Sequence, residues 1–128
     1  MPQTVDMLYA IDFITVYGKS FGITDINLNG DNEYRFSEFA SRREPVKAAL
    51  VEMVLNGTVQ ALSYKNGLTY IITPEGEDYC ESLKSDYAKD YRRNAEFVIK
   101  QMAGRSERTI ISYINKKSAE ELRKGVTE

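Results

Sequence analysis

Side chains that commonly carry out catalysis are scarce in this sequence. There is no histidine, which removes the usual general base and the usual metal ligand. The only cysteine is Cys80, so an intramolecular disulfide is excluded and a cysteine-based zinc site has no second sulfur ligand. We therefore predict Cys80 to be a small core residue of a protein that works in a reducing compartment.

The acidic residues do not form a catalytic or metal-binding pattern either. Asp6 and Asp12 are six positions apart in a predicted helix and share a face poorly, but Asp12 lies between two apolar residues, so we expect it to be partly buried against a donor. Glu75 and Glu77 suit the positive end of a helix. Acidic residues between positions 19 and 33 lack the spacing of a calcium loop. The sequence thus predicts a protein that is not an enzyme, with no catalytic, cofactor-binding or metal-binding residues.

Four basic residues are the candidates for contact with nucleic acid. Arg42, Arg43 and Lys47 belong to one predicted helical region, and Lys65 lies at a predicted hairpin turn. Dedicated nucleic-acid modules usually carry a clear basic excess. This chain has a net charge of -2. Any phosphate contact would depend on this local group, and the alternative is an ordinary solvated helix face.

The helix predicted first in the chain has Thr4 as its cap and ends at about Tyr17, with apolar residues at helical spacing. The stretch from Lys19 to Glu33 is rich in turn-forming residues and is predicted to be a loop. A loop of this length is often functional or mobile.

Pro45 leaves two interpretations of the next helical region, which starts near Tyr34. Proline has no N–H to donate and clashes with the preceding turn. Either one helix kinks at Pro45, or a short helix ends near Ser41 and a new one runs to about Asn56.

A β-hairpin is the clearest supersecondary pattern. Two β-prone stretches, Val59 to Tyr64 and Leu68 to Ile72, flank Lys65-Asn66-Gly67, and Asn-Gly is typical of tight hairpin turns. The order helix, helix, helix, hairpin, helix is that of a winged-helix domain, and the helix before the hairpin would occupy the recognition position. We predict a mainly α (α+β), winged-helix-like fold with one β-hairpin and extra C-terminal helices.

Three helices are predicted after the hairpin. They run from Thr73 to about Leu83, from Ser85 to about Met102, and onward from Ser106, and each begins with a capping residue. The residues expected to face inward from the first of them are Tyr79, Cys80 and Leu83. We predict a single domain over residues 1–115 and a charged, frayed tail over residues 116–128.

The last helix is apolar on more than one side, which makes it a candidate for partner binding. Tyrosine is enriched at protein interfaces, and the chain has nine tyrosines and no tryptophan. We expect one face of this helix to cover the core and another to bind a partner; the alternative is a simply buried helix. The candidate partner-binding residues are Ile110, Ile111, Tyr113 and Ile114.

Composition and segment lengths indicate a globular protein of the cytoplasm. The 128 residues are 42% hydrophobic and 28% charged, which is ordinary for a globular domain. The first residues lack the basic and apolar regions of a signal peptide. No apolar run is long enough to cross a bilayer, so no membrane association is expected.

An ordered series of segments over about residues 4 to 115 resembles a known family. The segment from Ser85 to Val98, SDYAKDYRRNAEFV, is similar to the family's Ser-Pro-Tyr-Ala stretch followed by Leu-Arg and Ala-Glu-Trp-Val. Asp12-Phe13 and the turn from Tyr17 to Gly22 resemble its first helix. The segment from Glu38 to Glu44 and the later Asn56-Gly57 resemble its second helical region. The family is the middle component of ABC-three-component conflict systems, the group that includes the small subunit of Lamassu-type anti-phage defence.

The chain departs from the family pattern at four positions. Phe97 stands where tryptophan is common, Asn94 replaces a basic residue, Tyr17 stands where histidine is frequent, and Pro45 is unusual in its helix.

The resemblance implies a non-catalytic accessory subunit of a prokaryotic anti-phage defence complex. Such a subunit sits between an SMC-like ABC ATPase and an effector nuclease of the same system. It meets DNA mainly through the complex and takes no cofactor and no small-molecule substrate. The competing hypothesis is a winged-helix DNA-binding transcription regulator, which would need a basic recognition face and usually a dimer helix. The helix from about Asp86 to Met102 could serve that purpose.

Overall fold

A computed structural model describes residues 2–30, 35–65 and 67–127. These residues form five α-helices and one antiparallel β-hairpin, with a short 3-10 turn after the first helix. In chain order the elements are α1 (Val5–Val16), α2 (Arg35–Leu55), β1 (Val59–Tyr64), β2 (Gly67–Ile72), α3 (Pro74–Ser82), α4 (Asp86–Met102) and α5 (Glu107–Thr127). The predicted fold class is confirmed: the chain is mainly helical with one hairpin, consistent with a winged-helix-like α+β fold.

Helix α1 lies at the centre and packs against α2, α4 and α5. Thr4 caps it as predicted, because its hydroxyl accepts a hydrogen bond from the Met7 amide at 3.1 Å. The end of α1 is buried around its whole circumference, which is the pattern of a helix enclosed by other elements. The consecutive buried residues are Phe13, Ile14, Thr15, Val16 and Tyr17.

Aromatic rings fill the space between α1 and the first half of α2. The ring centroid of Phe13 lies 5.1 Å from that of Phe39 and 6.0 Å from that of Phe36. Tyr9 stacks on Phe39 with centroids 4.8 Å apart. Such pairs contribute about 0.5–1.5 kcal/mol each beyond the burial of their area. This packing orients α2 and therefore decides which of its residues face α1.

Helix α2 passes through Pro45 without a break. Of the two interpretations of Pro45, the single helix is therefore the right one, and no new helix starts at Ser41. The carbonyl of Ser41 cannot receive its usual helical bond from Pro45, but both residues are exposed, so water can hydrate that carbonyl. In the described part of the chain two α-helices thus precede the hairpin, and the expected third one is the second half of α2.

The hairpin forms where the sequence predicted it, with its turn shifted by one residue. Tyr64 pairs with Gly67, so Gly67 already belongs to β2. Asn66 itself lies outside the described residues. Lys65 has a φ of 53°, the left-handed conformation that tight hairpin turns need.

The hairpin is held to the body of the protein on one edge and at its base. On the edge of β2, the amide of Gln3 donates to the carbonyl of Tyr70 at 2.9 Å, and the amide of Tyr70 donates back at 2.7 Å. At the base, Thr73 caps α3 as predicted and accepts from the Gly76 amide at 3.1 Å. Gly76 is buried, and a Cβ at this position would collide with the carbonyl oxygen of Thr58. The start of α3 can therefore approach the hairpin only because residue 76 is glycine.

Helices α4 and α5 complete the body. Ser85 caps α4, as predicted, and Gly104 follows the end of this helix with a φ of 78°. Helix α5 continues to Thr127, so residues 116–127 extend the helix instead of forming a separate segment. The fraying of its end and the domain limit at residue 115 remain predictions.

Candidate interaction surfaces

Two of the four predicted nucleic-acid contacts, Arg42 and Arg43, are bound to carboxylates of α1. Nε of Arg42 donates to Oδ2 of Asp12 at 3.0 Å, and its Nη2 bonds the same oxygen. Nε of Arg43 donates to Oδ1 of Asp6 at 2.7 Å. The packing of α2 thus turns this part of its basic surface toward α1. Phosphate contact by either arginine would compete with an ion pair inside the domain.

Asp12 is the centre of a polar cluster that joins α1, α2 and α4. Besides Arg42, the hydroxyl of Tyr91 donates to Oδ1 of Asp12 at 2.7 Å. Burial, reinforced by the charge of Asp12 and this hydrogen bond, raises the pKa of Tyr91 far above its usual value. Burial alone would lower the pKa of Arg42, but its hydrogen bond to Asp12 and the charge of that carboxylate outweigh burial and raise it. Both donors therefore stay protonated at neutral pH, and the expectation that Asp12 is partly buried against a donor is confirmed.

The cavity beside this cluster has a volume of about 520 Å³ and lies between α1, α2 and Asn29. Two carboxylates line it, those of Asp12 and Glu38. Both oxygens of Asp12 already accept hydrogen bonds, and Glu38 accepts one from the Tyr17 hydroxyl at 2.7 Å. A carboxylate held by these donors is a poor general base, since a base needs a free lone pair directed at its substrate. The arrangement is suited to joining helices.

The other two candidates, Lys47 and Lys65, are exposed. Lys47 lies on α2 one turn after Arg43, and Lys65 is in the hairpin turn, with its Nζ 5.3 Å from the ring centroid of Tyr64. Arg42 and Arg43 do not add free charge to them, so the four residues do not act as one group of unpaired cations. The assignment of Lys47 and Lys65 to nucleic-acid contact remains a prediction.

The four predicted partner-binding residues of α5 divide into two pairs. Ile110 and Ile114 are buried in the core, with 1% and 0% of their surface exposed. Ile111 and Tyr113 are partly buried, and the Tyr113 hydroxyl donates to the carbonyl of Phe21 at 3.2 Å. Only Ile111 and Tyr113 thus present surface to a partner in this fold. Their role in binding remains a prediction.

Helix α3 does not place its apolar residues in the core, so the inward orientation predicted for Tyr79, Cys80 and Leu83 is wrong. Tyr79 is 59% exposed, Leu83 is 41% exposed, and the free thiol of Cys80 is exposed. The reason is that α3 packs on the hairpin through its first turn at Gly76. Beyond that turn, Nη2 of Arg92 on α4 donates to the carbonyl of Cys80 at 2.6 Å, and the three side chains stay exposed. Nearby, Ile72 on β2 is also partly exposed.

A buried amide that the sequence analysis did not assign holds the connection after α1 in place. Nδ2 of Asn94 on α4 lies 3.2 Å from the carbonyl oxygen of Thr15 and 3.3 Å from that of Ile26. Asn94 is buried, so its donors need these acceptors. The sequence feature that indicates a buried role for Asn94 is that it is a polar residue on an otherwise apolar face of α4.

Neither a metal centre nor a membrane span is found in the described part of the chain. No group of three or more cysteine, aspartate or glutamate side chains there is arranged to hold a metal ion. No described helix combines the length and apolar character needed to cross a membrane.

Comparison with known proteins gives one match. The family model described as ABC-three component (ABC-3C) system Middle Component 2 matches residues 1–124. No curated protein and no solved structure matches the chain. The matched range includes α1 to α4, the hairpin and most of α5.

Proposed function

Because the chain belongs to the family of ABC-three component (ABC-3C) system Middle Component 2, we propose that it is a non-catalytic accessory subunit of a prokaryotic anti-phage defence complex. In this proposal it bridges an SMC-like ABC ATPase and an effector nuclease of a Lamassu-type system in the cytoplasm. The family match over residues 1–124 is the observation that carries the proposal.

Exposed apolar side chains on several elements support a role in protein binding. Leu55 at the end of α2 is 81% exposed, and Tyr79 and Ile99 expose more than half of their surface on α3 and α4. Large apolar residues on separate elements suit a protein that contacts more than one partner. Ile111 and Tyr113 are the further contacts proposed on α5.

The engagement of the carboxylates supports the absence of catalysis. Asp12, Glu38 and Asp6 all accept hydrogen bonds from side chains of the domain. Each of these three acids is used to join separate parts of the chain. The ATPase and the nuclease would then supply all chemistry in the complex.

The transcription-regulator hypothesis retains less support. It rests on Lys47 and Lys65, since Arg42 and Arg43 are bound to α1. Two exposed lysines in a chain with a net charge of -2 give weak, salt-sensitive attraction to DNA.

Co-expression tests the proposal directly. The tagged chain should co-purify with the ABC ATPase and the nuclease encoded beside its gene, and the pure chain should neither hydrolyse ATP nor cut DNA. Turnover by the pure chain, or failure to recover either partner, would reject the proposal. Binding of the isolated chain to duplex DNA at about 150 mM salt, lost in a Lys47→Ala/Lys65→Ala variant, would favour the regulator instead.

A further inference from the structure

An apolar groove with a volume of about 570 Å³ opens where α1, the end of α4 and the start of α5 meet. Its apolar lining comes from all three helices. These side chains are Met7, Leu8, Ile11, Ile99, Met102 and Ile110. Ile99 is 58% exposed although it is a large aliphatic residue, and Met7, Leu8 and Ile11 are only partly buried. The groove is therefore incompletely filled by the domain itself.

One end of the groove carries unpaired positive charge. Arg105 lines it, is exposed, and makes no ion pair with any residue that the structure describes. Ser106 beside it caps α5, so the positive end of a 21-residue helix dipole lies at the same place. Glu107, two residues from Arg105, already accepts a hydrogen bond from the Thr4 hydroxyl.

The backbone around the groove offers no edge for a β-strand. The amide and carbonyl of Gln3, at the end of the groove, both bond to Tyr70. The walls on α1 and α4 are helices, whose backbone groups bond within the helix. In the connection between α4 and α5, the amides of Ala103 and Arg105 donate to the carbonyls of Lys100 and Met102. An occupant must therefore satisfy its own backbone, as a helix does.

We infer that this groove binds an amphipathic helix of another protein of the same complex, with apolar residues one turn apart and an aspartate or glutamate that reaches Arg105. Its apolar residues cover Ile99 and Ile11, and its carboxylate is complementary to the unpaired guanidinium. Along α1 the groove follows Met7 to Ile11, on the order of 6 Å at 1.5 Å per residue, which matches apolar residues one turn apart on the occupant. This inference rests on the proposed subunit role and names one docking surface for it.

Two substitutions in the full-length chain test the groove. Ile99→Asp places a charge among the apolar side chains that line the groove, and Arg105→Glu reverses the charge at the end of the groove. Phe97→Asp is the matched control, because Phe97 is 52% exposed on the same helix but lies two residues, and so about 200°, away from Ile99 and does not line the groove. All four proteins are co-expressed with the ABC ATPase and the nuclease encoded beside the gene. Recovery of each partner on the tagged chain is then measured at equal expression.

We expect Ile99→Asp and Arg105→Glu each to reduce recovery of one partner at least tenfold, and Phe97→Asp to leave that partner's recovery within about twofold of wild type. A photo-crosslinking amino acid at position 99 should attach to an acidic amphipathic helix of that partner. Both altered residues are exposed, so we expect the variants to fold, and thermal melting checks this. If Ile99→Asp does not fold, Arg105→Glu and the crosslink test the groove.

The remaining outcomes separate the two proposals. If wild type assembles and both groove variants assemble equally well, the groove inference is wrong and the subunit role stands. If the crosslink at position 99 joins two copies of this chain, the groove is a homodimer interface and the inference is likewise wrong. If wild type recovers neither partner, the subunit role and the groove inference both fail.

Discussion

Replacing Asp12 with alanine should destabilise the protein far more than replacing Asp6, although both are α1 carboxylates that bind an arginine of α2. Asp12 accepts hydrogen bonds from Arg42 and also from Tyr91 on α4. The Asp12→Ala change therefore removes the acceptor of the Tyr91 hydroxyl and the carboxylate that pairs with the Arg42 guanidinium. Asp6 bonds Arg43 alone.

The expected cost follows from the burial of the two donors. A buried donor left without an acceptor costs about 1–3 kcal/mol. Removing one partner of a fully buried ion pair costs about 3–5 kcal/mol. The side chains of Arg42 and Asp12 are 27% and 22% exposed, so water can partly solvate the guanidinium that remains. We therefore expect the free energy of unfolding to fall by roughly 2–3 kcal/mol in Asp12→Ala, between these two limits.

Urea unfolding followed by circular dichroism measures this cost, with an unchanged m-value as the check that both states are comparable. The Asp6–Arg43 pair is more exposed, so Asp6→Ala should cost distinctly less. Arg42→Ala in the Asp12→Ala background should cost less than in wild type, because its partner is already gone. Equal effects of the two aspartate substitutions, or additive effects of Asp12→Ala and Arg42→Ala, would refute the argument.

Two further predictions concern Tyr91 and Gly76. Above about pH 10 the unfolded chain releases the Tyr91 proton, while the folded chain keeps it. The free energy of unfolding of wild type should therefore fall with rising pH more steeply than that of Tyr91→Phe. The difference in slope should reach up to about 1.4 kcal/mol per pH unit. Urea titrations from pH 8 to 11 measure this, Tyr87→Phe is the half-exposed control, and parallel curves for wild type and Tyr91→Phe would contradict it. Gly76→Ala should destabilise by about 1–3 kcal/mol because its Cβ meets the Thr58 carbonyl, whereas Gly67→Ala meets open space and should cost little. The same urea assay compares the two, and a similar cost for both would count against the close approach of α3 to the hairpin.

Capping residues correctly predicted where three of the helices begin. Thr4, Thr73 and Ser85 all cap helices where the sequence placed them, because a cap depends only on the next three residues. The break considered at Pro45 did not occur. The reason is tertiary: aromatic packing on α1 fixes the first half of α2, and the lost hydrogen bond is at an exposed carbonyl. The sequence of α2 alone does not show such contacts with another helix.

The polar contacts were only partly predictable. The apolar neighbours of Asp12 correctly indicated a buried acid with a donor, but the donors lie 30 and 79 residues away in the sequence. The spacing of apolar residues identifies the face of a helix that should be buried, but it does not identify the helix that packs on that face. The same limit explains α3, where Tyr79 and Leu83 share an apolar side that stays exposed.

The engagement of Arg42 and Arg43 changes what the hairpin implies about function. In a winged-helix DNA-binding protein, the helix before the hairpin must present free basic side chains to the groove. Here the first half of α2 uses its arginines to bind α1, so breaking those bonds to reach phosphate would cost stability. Meanwhile exposed apolar surface along α1, α4 and α5 lies beside Arg105, which makes no ion pair with a described residue. The hairpin alone therefore gives little support for DNA contact, and the partner-binding surface is better sought where the domain leaves its own apolar groups uncovered.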